Sequence, residues 1–89
     1  MMEDIFIKNL PTLDLHGYDM QSAALATNTF IEDNIILKNK KIVIIHGIGK
    51  GLVRKSVHET LSRNKHILKY HTDNLNNGIT IAHLLVDNK

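Results

Sequence analysis

Hydrophobic and polar positions follow two different periods along this chain, and each period predicts a different kind of element. A two-residue alternation over Thr12-Leu13-Asp14-Leu15 predicts a short first strand that stops at the turn His16-Gly17. From Met20 to Lys38, apolar and small residues recur at helical spacing behind Asp19, a candidate N-cap. The stripe that this helix would turn toward a sheet consists of Met20, Ala23, Ala24, Thr27, Phe30, Ile31, Asn34 and Ile35.

The second half of the chain begins with another strand and another helix. Lys41-Ile42-Val43-Ile44-Ile45 is rich in β-branched residues, which is typical of a strand buried on both faces. A second helix is predicted from Leu52 to Arg63, followed by strands from Ile67 to Thr72 and from Ile79 to Val86. This helix is predicted to turn Val53, Val57, Thr60 and Leu61 inward and His58 outward.

The order strand, helix, strand, helix, strand, strand predicts an α/β (α+β) fold, a βαβαββ two-layer sandwich. Two crossover connections make the first three strands parallel, and the final hairpin makes the fourth antiparallel. The prediction is therefore a mixed four-stranded sheet carrying two helices. Residues 1–11, with Ile5, Phe6 and Ile7, are predicted to form an N-terminal arm or edge strand before a domain that spans residues 12–89.

Composition narrows the class of protein. A chain of 89 residues supports one hydrophobic core, and so small a core is often completed by a second copy or a larger assembly. The absence of cysteine excludes disulfides and thiolate metal sites. The sequence shows neither a signal-peptide pattern nor an apolar run of membrane-spanning length, so a cytoplasmic protein is expected. The net charge of +2 permits binding to a polyanion without requiring it.

Three polar or glycine-rich segments follow the predicted parallel strands. They are Asp14 to Gly17, His46 to Gly51, and Asp73 to Gly78. Ligands of open α/β sheets bind beyond the carboxyl ends of the strands, so these segments are expected to converge on one functional edge.

The glycine-rich segment His46-Gly47-Ile48-Gly49-Lys50-Gly51 opens the second helix. Its glycines allow close approach of the backbone, and a helix start favours an anion such as phosphate. Lys50, Arg54 and Lys55 add positive charge, which favours an anion site over a plain strand-to-helix turn with solvated charges. The segment is not a Walker A loop, since Gly51 follows Lys50, and a dinucleotide fold expects its glycines after the first strand.

Asp14 and His16 are the candidate catalytic residues. If the strand continues through both, they point to the same side, where the carboxylate orients an imidazole suited to proton transfer near neutral pH. His46, at the end of the neighbouring strand, is a candidate third member. The commoner alternative is that Asp14 caps backbone N–H groups beside a turn. Carboxylates are scarce at this edge for two-metal chemistry, so the need for a divalent metal such as magnesium stays open.

The segments around these candidates resemble the motifs of one family. Leu13-Asp14-Leu15-His16-Gly17 resembles the LDLHG motif that opens Smr (small MutS-related) domains, and residues 46–51 resemble the family's HGxGxG motif. Leu52-Val53-Arg54-Lys55 resembles its basic helix start, and Gly78-Ile79-Thr80 its closing strand. The resemblance covers roughly Thr12 to Leu84 and departs from the family at Asn74-Leu75-Asn76-Asn77, which replaces a richer glycine stretch.

The resemblance implies a fold similar to the C-terminal domain of a bacterial translation initiation factor. It also implies endonuclease activity, as DNA nicking or endoribonuclease cleavage, tied to Asp14 and His16. The implied nucleic-acid contacts are His46, Gly47, Gly49, Lys50, Gly51, Arg54 and Lys55. Three alternatives stay open: cleavage of DNA or RNA, a non-catalytic adaptor attached to a DNA repair, recombination or ribosome-associated protein, and a protein-interaction domain that uses a sheet edge.

Overall fold

The computed structural model describes residues 9–86, so the predicted arm around Ile5, Phe6 and Ile7 lies outside the described residues. The predicted order of six elements is confirmed. Strands β1 to β4 and helices α1 and α2 are, in chain order, β1 (Thr12–Asp14), α1 (Met20–Ile36), β2 (Lys41–Ile45), α2 (Leu52–Arg63), β3 (Ile67–Thr72) and β4 (Ile79–Leu84).

The four strands form one mixed sheet in the order β1-β2-β4-β3. β1 pairs with β2 in parallel, and β4 pairs antiparallel with both β2 and β3. β3 therefore runs in the same direction as β1 and β2, although β4 lies between it and β2. The predicted mixed sheet, with three strands in one direction and the fourth reversed, is confirmed.

Both helices pack on the same face of this sheet. Ile42 and Ile44 of β2 point to that face with Ala82 and Leu84 of β4, and they join residues of both helices in one buried cluster. The cluster consists of Leu15, Ala23, Ile31, Ile42, Ile44, Val57, Leu61, Ala82 and Leu84. Neither α1 nor α2 is long and apolar enough to cross a membrane. The core is thus aliphatic and lies between one sheet and one helix layer.

Helix α1 ends at Ile36, two positions before the predicted Lys38. Lys38 adopts a positive φ of 62°, the left-handed conformation that commonly terminates a helix. The backbone N–H of Asn39 then donates to the carbonyl of Asn34 at 2.9 Å, and the Asn39 side chain donates to the Asn34 side chain at 2.8 Å. The predicted inward stripe is buried at Ala23, Thr27, Ile31 and Asn34, but Met20 is 37% exposed.

Candidate functional site

The segments that follow β1 and β2 lie side by side at one edge of the sheet. Asp14 pairs with Ile45 in the parallel register, and the next amide, that of Leu15, donates to the Ile45 carbonyl at 2.8 Å. Between the two segments is a groove of about 170 Å³, here called the notch, whose lining includes Asp14, His16, Gly17, Tyr18, Gly47 and Val53. The expected convergence of these two segments is confirmed.

The turn after β1 differs from the sequence expectation. β1 ends at Asp14, and the amide of Tyr18 donates to the Leu15 carbonyl at 3.0 Å, with Gly17 at a φ of 80°. Asp14 and His16 are therefore not two residues of one strand. Instead, Oδ1 of Asp14 accepts a hydrogen bond from the His16 backbone N–H at 3.0 Å. Asp14 thus fixes the turn that carries His16, and both residues are exposed at the notch.

The third predicted segment also reaches this edge. The Gly78 carbonyl accepts hydrogen bonds from the amides of His46 at 2.9 Å and Gly47 at 3.0 Å. A Cβ atom on Gly78 would lie 3.1 Å from the Gly47 Cα, closer than side chains ordinarily approach a backbone atom. The end of the β3–β4 hairpin is therefore the support on which the glycine-rich segment rests.

The start of α2 is open toward a ligand. Gly51 occupies the N-cap position at a φ of 80°, and no side chain of the described residues caps the first amides of α2. By contrast, α1 is capped by Asp19, whose carboxylate accepts from the Ser22 amide at 2.7 Å. Unpaired N–H groups and the positive end of the helix dipole attract anions. A second groove, of about 260 Å³ and here called the glycine-loop groove, lies along residues 46–54.

Cationic side chains surround this helix start. Lys50, Arg54 and Lys55 are all exposed, and the first two line the glycine-loop groove. Gly47 and Gly49 are exposed in the same groove, with their backbone accessible. Positive charge and free amides therefore lie together beside the notch that holds His16.

His46, predicted as a nucleic-acid contact, is only 8% exposed. Its Nδ1 lies 2.9 Å from the Gly47 carbonyl oxygen, and its Nε2 lies 2.7 Å from Oγ1 of Thr80 on β4. Both ring nitrogens are thus engaged within the protein. The structure places His46 beneath the glycine-rich segment, where it holds Gly47 against β4.

The expected outward position of His58 is wrong. His58 is half-buried, and its Nε2 lies 2.8 Å from Oγ1 of Thr80. Its ring centroid is 5.1 Å from that of Tyr70 and 5.8 Å from that of His46. The reason is that β4 lies in the interior of the sheet and places the Thr80 hydroxyl under α2. There the hydroxyl forms a hydrogen bond with the His58 imidazole, which would otherwise face solvent.

The hydrogen-bond partners fix the protons of this His46–Thr80–His58 chain. A carbonyl only accepts, so Nδ1 of His46 donates to Gly47, and in the neutral ring Nε2 accepts the hydroxyl proton of Thr80. With its one proton committed, Oγ1 of Thr80 accepts from Nε2–H of His58. Burial lowers the pKa of His46, and burial followed by the charges of His46 and Arg54 lowers the pKa of His58. Both imidazole rings are therefore neutral near pH 7, which agrees with the proton positions in this hydrogen-bonded chain.

Sequence reasoning named Gly78, Thr80 and His58 but missed the roles that they play in this arrangement. Thr80 carried a signal, because it is the polar residue between Ile79 and Ile81 in a strand whose alternation turns it toward the helices. His58 and the support from Gly78 carried no comparable signal, since both depend on where β4 lies in the sheet. No cluster of three or more metal-ligating side chains occurs within residues 9–86.

Comparison with known proteins places this geometry in a wider context. A family model described as Smr domain matches residues 13–84. The chain is 38% identical over 77 residues to Endonuclease MutS2 of Halothermothrix orenii. The aligned region covers 83% of this chain and 10% of that protein. Its fold matches the crystal structure of the Smr domain of Thermus thermophilus MutS2, with a TM-score of 0.82 and 24% identity over 84% of this chain and 98% of the other.

A stand-alone small MutS-related protein from Escherichia coli, YdaL, also has this fold. Its TM-score is 0.77 at 21% identity, over 82% of this chain and 63% of the other. The chain spans about a tenth of the length of the curated MutS2 relatives that it matches.

Proposed function

The chain belongs to the Smr domain family, and from this premise we propose that it binds the phosphate backbone of DNA or RNA and cleaves it as an endonuclease. The observation that carries the proposal is the shared notch. His16, the exposed imidazole of one motif, and Gly47, at the start of the other, line the same groove. A group able to transfer a proton thus lies in a groove that adjoins the uncapped amides at the start of α2, which are able to hold a phosphate.

Phosphate binding is assigned to the glycine-loop groove. The free amides at the start of α2 donate to phosphate oxygens, and Lys50 and Arg54 neutralise their charge. The same donors stabilise the extra negative charge that builds on the phosphorus oxygens during nucleophilic attack. His46 contributes by holding Gly47 in place, since its ring nitrogens are already bonded inside the protein.

The proton transfer is assigned to His16. As a neutral imidazole it removes the proton from the attacking oxygen, which is a ribose 2′-hydroxyl in RNA or a water molecule in DNA. The new P–O bond forms as the bond to the leaving oxygen breaks, and the imidazolium returns the proton to that oxygen. Asp14 is a positioning residue, because its carboxylate accepts from the backbone of His16 and sets the turn.

A divalent ion such as magnesium would find few ligands here. Among the described residues the notch offers one carboxylate, that of Asp14, and one of its oxygens already accepts from His16. This donor set does not fit a protein-held magnesium site, so no step of the proposed mechanism passes through a metal.

The proposal is tested with supercoiled plasmid and structured RNA, each with and without magnesium. We expect His16→Ala to abolish cleavage while leaving binding largely unchanged, and Asp14→Ala to reduce cleavage because the turn loosens. Asp14→Asn is the informative companion, because its amide oxygen still accepts from the His16 backbone. Retained cleavage in Asp14→Asn supports the positioning role, and unchanged cleavage in His16→Ala overturns the assignment of His16.

A second candidate function is a binding adaptor without chemistry. The observation that favours it is the same Asp14–His16 hydrogen bond, which is an ordinary way for an aspartate to cap a turn. The chain would then supply a nucleic-acid grip to a larger repair or ribosome-associated protein, or to a homodimer. This candidate requires that Lys50→Ala with Arg54→Ala weakens binding and lowers its salt dependence while wild-type protein yields no cleavage product.

A further inference from the structure

Three grooves adjoin along one side of the molecule. The notch and the glycine-loop groove share His46, Gly47 and Val53. The glycine-loop groove in turn shares Gly51 and Arg54 with a third groove of about 380 Å³. The lining of this third groove, here called the outer groove, includes Arg54, Lys55, His58, Glu59 and Tyr70. The surface that begins at His16 therefore continues past the glycine-rich segment along α2.

The outer groove combines fixed positive charge with one imidazole. Arg54 and Lys55 are exposed cations on its wall, whereas His58 is half-buried and held in place. Oγ1 of Thr80 holds the Nε2 side of His58, and the Tyr70 ring packs against the imidazole at 5.1 Å. Because Nε2 already carries a proton, a second proton on this ring must go to Nδ1.

We propose that the outer groove holds a second backbone phosphate of the bound nucleic-acid strand, and that binding of this phosphate is coupled to protonation of His58. The inference rests on the proposed nucleic-acid binding. A strand whose first phosphate lies at the start of α2 has its next phosphates within reach of the adjoining groove. A phosphate can bind beside Arg54 in the continuous grooves without help from a histidine. The coupling to protonation of His58 is therefore a separate claim from phosphate binding itself.

The groups that face His58 explain the coupling. His46 and Thr80 lie on its inner side, Tyr70 contacts it from β3, and Arg54, Lys55 and Glu59 lie with it on α2. In the free protein, burial and the positive surroundings lower the pKa of His58, so the ring is neutral. A phosphate in the outer groove offsets this positive charge and favours the imidazolium. Binding then takes up a proton, and affinity rises as the pH falls through the pKa of His58 in the complex.

The test compares wild-type protein with His58→Gln, whose amide still donates to Thr80 but does not titrate. Binding to a fluorescein-labelled single-stranded RNA is measured by anisotropy at constant salt, between about pH 8 and about pH 5.5. His66→Gln is the matched control, since His66 lies outside all three grooves. We expect wild-type and His66→Gln affinity to rise by about threefold to tenfold more than that of His58→Gln as the pH falls.

A second measurement uses the wild-type protein alone, so that it does not depend on the folding of a variant. The pKa of His58 is followed by nuclear magnetic resonance with and without the RNA, and we expect it to rise when RNA binds. An unchanged pKa, or equal pH profiles for wild type and His58→Gln, overturns the coupling while leaving the proposed function intact. If wild-type protein shows no salt-sensitive binding at any pH, the proposed function itself has failed.

Discussion

Replacement of Thr80 by valine tests the buried chain that joins His46 to His58. Valine has nearly the same shape as threonine, but it removes the hydroxyl that accepts from one imidazole and donates to the other. Thr80 has no exposed surface, so Nε2 of His46 is left buried without a partner. An unsatisfied buried polar group costs roughly 1–3 kcal/mol, and half-buried His58 recovers part of its loss from water. We expect the free energy of unfolding to fall by about 2 kcal/mol.

The same substitution at Thr27 is the matched control. Thr27 also has no exposed surface, but its hydroxyl has no hydrogen-bond partner within residues 9–86. Thr27→Val removes an unpaired buried hydroxyl, so we expect stability to stay equal or rise by up to about 1 kcal/mol. Thermal unfolding resolves the difference, because 1 kcal/mol corresponds to about 4–8 °C in a domain of this size. Equal effects of the two substitutions would refute the reasoning about the chain.

Four further outcomes are expected. Gly78→Ala places a Cβ 3.1 Å from the Gly47 Cα, so it should displace the glycine-rich segment and weaken RNA binding severalfold. A binding curve that matches wild type would show that the segment does not need the support of Gly78. Lys50→Ala with Arg54→Ala should lower affinity and reduce the slope of log affinity against log salt by about 2, one for each lost phosphate contact. Burial lowers the pKa of His46 and His58 from the usual 6.5, so the unfolded chain binds more protons than the folded one at mildly acidic pH. The free energy of unfolding, measured by denaturant titration, should therefore fall as the pH drops below about 6.5. A Thr80→Ser protein, which keeps the hydroxyl, should follow the same pH profile. Asp19→Ala removes the cap of α1 and should lower the melting temperature by a few degrees in thermal unfolding, whereas an unchanged melting temperature would show that the Asp19–Ser22 hydrogen bond does not stabilise this helix start.

The sequence predicted the fold well because its signals are local. The β-branched run at Lys41–Ile45 and the helical spacing of α1 need no knowledge of the rest of the chain, and turn chemistry after β1 and β2 located two sides of the notch. Two element boundaries differ from the prediction. Helix α1 ends early because Lys38 adopts a left-handed backbone conformation, and β1 ends at Asp14, whose side chain accepts a hydrogen bond from the backbone of the His16 turn.

The interior of the site was not predictable in the same way. The roles of Thr80 and His58 depend on β4 lying between β2 and β3, an order that the strand pattern leaves undetermined. Because of that strand order, the Thr80 hydroxyl on β4 lies beneath helix α2, far from it in the sequence. His46 was expected to meet a ligand because it belongs to a motif, yet it is bonded on both ring nitrogens and acts from beneath the backbone.

The strands that carry the two sides of the notch differ in how firmly they are held. β2 has a hydrogen-bonded neighbour on each side, whereas β1 is a three-residue strand that, within residues 9–86, pairs with β2 alone. Local opening of β1 therefore requires less free energy than opening of β2. Amide hydrogen exchange should be faster at Leu13 and Leu15 than at Ile44. The turn that bears His16 is therefore the more easily opened side of the notch, and the glycine-rich segment that follows β2 is the firmer side.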